Sequence, residues 1–239
     1  MRKLILALLF TLPATAFSID LDGFYITPKG GVSKSMNTGV TYGDAGGGQF
    51  DIKNNDLGSG HTFGLSVGKY ITNNFRLELE VSQRGGLKYD TEYASAPNLG
   101  ITTKSDIDAK SIFINGFYDF KSFTISSSLV TPYLGAGIGI SRNKMGAVTE
   151  TSHSPTMIST LDGNASSEFA YKIAAGTLLS LTEKLSLDIS YQYINLGKFK
   201  SGLDYVVISG GAGSGTMSKA LSSGEIKSQE LMVGLNYKF

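Results

Sequence analysis

Two histidines are the only imidazoles in this chain of 239 residues, and it has no cysteine. His61 stands two positions after Ser59, and His153 is followed directly by Ser154 and Pro155. A hydrolytic triad needs a nucleophile, a base and an orienting acid held within hydrogen-bond reach on rigid elements. His153 and Ser154 fall in a polar loop stretch, where sequence neighbours seldom aim at each other, and His61 has no motif behind it. No catalytic residue is assigned. Gly46-Gly47-Gly48 and the glycine-rich residues 210–215 lack the Lys-Ser/Thr pair and following helix of a phosphate loop. Asp44, Asp51 and Asp56 are too widely spread for a calcium loop, and there is no His/Cys cluster for zinc. The expectation is a protein with no cofactor, no metal and no enzymatic activity.

The charged residues that remain are spaced two apart. Arg76, Glu78, Glu80 and Ser82 alternate with Phe75, Leu77, Leu79 and Val81, the period of a strand with one polar and one apolar face. The same rule recurs along the chain. Phe24, Ile26, Pro28, Gly30 and Val32 share a face, as do Phe63, Leu65, Val67 and Ile71, with Lys69 at the edge, where its stem can snorkel. Ile112, Ile114, Gly116, Tyr118 and Phe120 follow, then Pro132, Leu134, Ala136, Ile138 and Ile140. Phe169, Tyr171, Ile173, Ala175, Leu179 and Leu181 oppose Lys172, and Leu185, Leu187, Ile189, Tyr191 and Tyr193 oppose Asp188. Finally Leu231, Val233, Leu235, Tyr237 and Phe239 oppose Glu230, Met232, Gly234 and Lys238. Eight such segments predict an all-β chain: an eight-stranded antiparallel transmembrane up-and-down β-barrel.

On this register Arg76, Glu78, Glu80, Lys172, Asp188 and Glu230 point into the lumen, with Lys29 and Lys238 near its ends. A barrel of eight strands has an interior just wide enough for side chains to fill it. Unpaired charges there are costly, so Arg76 and Lys172 are expected to pair with some of these acids, forming a polar plug or lining a narrow channel. Gly135, Gly137 and Gly139 are expected to make room for bulky neighbours such as Tyr25 or Phe113.

Connection lengths give the barrel a direction. Thr72-Asn73-Asn74 and Thr182-Glu183-Lys184 read as tight turns and residues 121–130 as a ten-residue link, all on the periplasmic side. Four long extracellular loops, over 35–60, 83–109, 142–167 and 195–226, hold about half the mature chain and its variable function. Within them the apolar run Tyr205, Val206, Val207 and Ile208 is the candidate partner patch, or else an extramembrane hairpin.

At the N-terminus, Arg2 and Lys3, the apolar residues 4–12 and the small-residue site Ala14-Thr15-Ala16 read as a secretory signal peptide over 1–16, leaving a barrel domain over 17–239. Removing Arg2 and Lys3 takes the balance from 21 basic and 20 acidic residues to 19 and 20. A net charge of −1 does not suit a nucleic-acid partner. No cysteine means no disulfide framework, so stability must come from a closed hydrogen-bonded wall in lipid.

Thr131-Pro132-Tyr133-Leu134-Gly135-Ala136-Gly137-Ile138-Gly139 resembles the fifth strand of the eight-stranded outer-membrane surface-antigen family. That group includes rickettsial-type surface antigens and adhesins and is related in fold to opacity proteins and the OmpA-type barrel. Gly23-Phe24-Tyr25-Ile26, the 75–80 segment, Asn115-Gly116-Phe117-Tyr118-Asp119-Phe120 and residues 187–193 support it, while the long loops have no match. Gly234, Tyr237 and Phe239 resemble the terminal signal read by the barrel-assembly machinery, with Met232 a departure from it. The resemblance implies a surface antigen and adhesin in the bacterial outer membrane, with outer-membrane lipid, the assembly machinery and a host surface protein as partners. The alternatives are a small pore or a purely structural barrel, and last a lipid-modifying enzyme.

Overall fold

The computed structural model describes residues 21–36, 38–39, 41–43, 49–50, 56–92, 100–126, 128–153, 156–211, 213–216 and 222–239. The expected leader, Asp44, Gly46-Gly47-Gly48, Asp51, Ser154 and Pro155 lie outside them. Eight long strands carry the fold: β1 (Phe24–Ser35), β2 (Ser59–Tyr70), β3 (Phe75–Glu92), β4 (Thr102–Asp119), β5 (Ser128–Met145), β6 (Asn164–Ser180), β7 (Leu185–Lys200) and β8 (Ser222–Lys238). Each pairs antiparallel with its neighbour in the chain. β1 then pairs with β8, from Tyr25 opposite Lys238 to Ser35 opposite Ser228, and the sheet closes into a barrel. Closure satisfies the backbone across the membrane without leaving an open edge there.

Alternation sets the two faces. From Phe75 to Val81, odd residues of β3 are exposed and even ones buried, and Leu79, Ile114, Ile138, Ile140 and Phe169 all stand on the outer wall. Leu178 joins the inner face despite being apolar. The turns at 71–74 and 181–184 share one device: Thr72 Oγ1 accepts from the amides of Asn74 and Phe75, and Thr182 Oγ1 from those of Lys184 and Leu185. The expected link at 121–130 is mostly strand, because Phe123–Ile125 pairs with residues 128–130 and extends the apolar outer wall through Phe123, Ile125 and Leu129.

Among the described residues the expected long loops are also largely strand. β3, β4 and β5 each run 18 residues, whereas roughly 9–11 tilted residues cross a bilayer. The surplus rises beyond the apolar belt, and there the polarity of the wall inverts. On β4, Lys104, Asp106, Asp108 and Lys110 face out while Ser105, Ile107 and Ala109 are buried. Water has replaced lipid outside, so charge faces outward and apolar groups pack inward. Two bulges accompany the change, between Arg84 and Leu87 and between Asn195 and Lys198, with Gly86 and Gly197 at φ +80° and +77°. Each shifts the inward positions from even to odd numbers.

Further strands continue this upper wall. Val148–His153 pairs with Thr156–Leu161 and also with residues 102–104 of β4. Thr156–Leu161 pairs in turn with Asp204–Ser209, and that strand with Ser214–Thr216. The 205–208 run thus lies within an extramembrane sheet, with Val206 and Ile208 exposed. His153 ends a strand, its Nδ1 2.6 Å from the Gly100 carbonyl.

Candidate functional site

The inner faces fill the lumen in two storeys. In the lower one, β1, β3 and β6 converge on a buried carboxylate pair: Lys29 Nζ reaches Glu78 Oε1 at 3.1 Å and Glu80 Oε2 at 2.8 Å, and Lys172 Nζ reaches Glu80 Oε2 at 2.6 Å. Asn115 on β4 donates to both acids. Arg76 pairs through Nε with Asp119 Oδ1 at 3.0 Å, donates to the Tyr25 hydroxyl at 3.2 Å, and lies over the rings of Phe117 and Tyr133. Cation–ring contacts of this kind strengthen where water is excluded. Asp188 accepts from the Tyr133 hydroxyl at 2.6 Å and has no ion pair among the described residues.

Above this layer sits a pair that the sequence reading missed. Glu230 bonds with neither Arg76 nor Lys172: Arg84 on β3 takes it, Nε to Oε1 at 2.7 Å and Nη2 to Oε2 at 3.1 Å. Gln192 and Thr62 also donate to Glu230, and Arg84 Nη1 donates to Ser82 and Ser111. Every charge in this layer is therefore hydrogen-bonded, the condition for tolerable burial. The expected loop over 83–109 contains Arg84; Ser82, continuing the even-numbered inner face toward it, is the signal in the sequence.

The upper storey is apolar. Leu57, Leu87, Tyr89, Ile107, Phe113, Met145, Ile194, Phe199 and Ile226 form one buried cluster, and Tyr205 packs against it from the extramembrane sheet. Close approaches involving glycine hold the lower rings: Phe117 lies over Gly135 and Asn115 over Gly137, while Tyr25 lies over Gly68. A bulky ring does fill the space at Gly135, but it is Phe117, and Tyr25 serves β2 instead, while Phe113 stands directly opposite Gly139. At Gly139 the neighbour is the β4 backbone of Ile112 and Phe113.

His61 faces outward with its ring 5.6 Å from that of Phe63. Among the described residues no group of three or more His, Asp or Glu side chains is arranged to hold a metal ion. Tyr237 and Phe239 stand exposed on the outer wall with their rings 5.5 Å apart, edge to face, and Gly234 is on the inner side.

A closed eight-stranded wall, apolar outside and charged inside, fits a membrane barrel. The family model described as the outer membrane protein beta-barrel domain matches residues 4–239. The chain belongs to that family. The outer-membrane barrel is 26% identical over 238 residues to PagN, an outer membrane protein of Salmonella typhimurium, covering 91% of this chain and 90% of PagN. A Rickettsia bellii protein named as a candidate adhesin is 27% identical over 169 residues, 66% of this chain and 72% of that protein. The crystal structure of OprG from Pseudomonas aeruginosa superposes with a TM-score of 0.60 at 13% identity, covering 91% of this chain and 96% of OprG, a likeness of fold. The barrel resides in the bacterial outer membrane, with its apolar outer wall in lipid.

Proposed function

We propose that this outer-membrane barrel is a surface antigen that acts as an adhesin, displaying its long-loop end to the outside on a plugged, non-enzymatic scaffold. One observation carries the reading: the lumen is filled by two stacked layers, an ion network and an apolar core, so the surface left to recognise a partner outside the membrane is the extramembrane sheet. The name of the rickettsial relative points the same way. Within that sheet Tyr205, Val206, Val207 and Ile208 form the patch for a host surface protein, with Val206 and Ile208 offering apolar contact. Silence in a planar bilayer is the expected result, and steady single-channel openings would mark a pore instead. Deleting residues 148–161 or 204–216 is expected to abolish most binding to host cells, and undiminished binding by both deletions would overturn the adhesin reading.

Residues 1–16 serve as the secretory signal, the tight turns face the periplasm, and Gly234, Tyr237 and Phe239 form the mark read by the assembly machinery. Deleting Phe239 is expected to cut the yield of heat-modifiable barrel in the outer membrane severalfold without changing synthesis. An unchanged yield would reduce Tyr237 and Phe239 to members of an interfacial aromatic girdle.

A further inference from the structure

The outer wall breaks its charge pattern at one level. Lys110 on β4 stands directly opposite Arg142 on β5, both exposed. Like charges directly opposed across a strand pair repel. Other facing charges of the upper wall are of opposite sign: Lys104 meets Asp90 at 3.2 Å, Lys227 meets Glu225 at 2.7 Å, and Lys88 lies opposite Asp106. Among the described residues neither Lys110 nor Arg142 forms an ion pair. Asp108, two positions above Lys110, does not serve them, because its carboxylate lies beside Gly85 of β3, next to His61 and on the side away from β5.

Directly below the two cations the wall carries a shallow depression, open to the outside. A concavity of about 1010 Å³ spans β2 to β6, lined by Val81, Ile112, Ile114, Ile138, Ile140 and Phe169. Gln83, Lys110 and Arg142 belong to the same lining, and they sit opposite one another across β3, β4 and β5. On all three strands the outward residue changes from apolar to polar at this one level: Val81 to Gln83, Ile112 to Lys110, Ile140 to Arg142. That is the depth at which a lipid headgroup begins.

We propose that this face holds one phosphorylated glycolipid of the outer leaflet, its acyl chains in the hollow and its phosphate between Lys110 and Arg142. The aliphatic lining suits flexible chains, and a forked guanidinium beside an ammonium suits an anion with several oxygens. A bound phosphate also removes the repulsion that the bare pair carries. The proposal rests on the outward orientation of the long-loop end, which selects the glycolipid leaflet. It does not depend on adhesion, and its test contains no host component.

The full barrel, refolded in detergent, is to be titrated by native mass spectrometry with bis-phosphorylated lipid A, with lipid A stripped of its phosphates, and with phosphatidylglycerol. The expected result is one lipid A per barrel, held at least about tenfold more tightly than either comparison lipid. Lys110→Ser with Arg142→Ser should erase that preference, while Lys104→Ser leaves it intact. Equal retention of phosphorylated and stripped lipid A by the unaltered barrel would overturn the phosphate site, whatever the variants do. Phosphatidylglycerol held as tightly as lipid A would overturn the assignment to a glycolipid.

Discussion

Replacing Arg84 with methionine is expected to lower the stability of the folded barrel by about 3–5 kcal/mol, measured by guanidinium unfolding in lipid vesicles. Arg84 and Glu230 both have fully buried side chains and meet through two parallel contacts. Methionine fills much of the same space but leaves the Glu230 carboxylate with Gln192 and Thr62 as donors and no cation. A stranded buried charge is worse than no pair at all. Arg84→Met combined with Glu230→Leu should therefore lose no more than either single change. Recovery to the starting stability is not expected, because Ser82, Ser111 and Gln192 lose partners in the double variant. Simple additivity in the cycle would refute the pair as a coupled unit. Lys104→Met is the contrast: its pair with Asp90 is more than half exposed on both sides, and a change within about 0.5 kcal/mol is expected.

The sequence reading missed Arg84 for a physical reason. Alternation betrays a strand only while each face keeps one solvent, and β3 changes solvent and parity within a few residues. Up to Val81 the odd positions meet lipid and the even ones the lumen. Past the bulge at Gly86, Leu87 and Tyr89 turn inward while Lys88 and Asp90 meet water. A search for apolar-out residues in one frame stops at Ser82 and assigns the rest to a loop. β7 fails the same way beyond Asn195, where Gly197 shifts Phe199 into the core. β4 has no such bulge, yet residues 102–110 still escape, because there the apolar side is the inner one. The membrane half was legible, including Arg76, Glu78, Glu80 and Lys172, since lipid outside and ion pairs inside give opposite chemistry to neighbouring residues. Asp188 was placed correctly but not its partner: a Tyr133 hydroxyl carries no sign in a charge pattern. The extramembrane sheet at 204–209 was legible only as one of two options, since pairing partners far apart in sequence leave no periodic trace.

Phe199→Ala is expected to loosen the upper storey by about 3–5 kcal/mol. The ring is buried in the apolar cluster and meets Tyr89 across the lumen at 6.5 Å between centroids. Neighbours on β3, β4 and β7 belong to closed, hydrogen-bonded strands, so they cannot collapse fully into the space left behind. The consequence should be local. The lower storey is held by ion pairs that Phe199 does not touch and by lipid around its outer wall, whereas the upper storey has water outside and depends on its apolar core. Hydrogen exchange in lipid vesicles separates the two: amides of residues 87–92 and 102–107 are expected to exchange at least about tenfold faster in the variant, and those of 76–82 at an unchanged rate. Equal acceleration at both levels would mean that the storeys unfold as one unit. In that case the extramembrane sheet could not be altered without weakening the membrane-embedded wall, whereas separate storeys would let one change without the other.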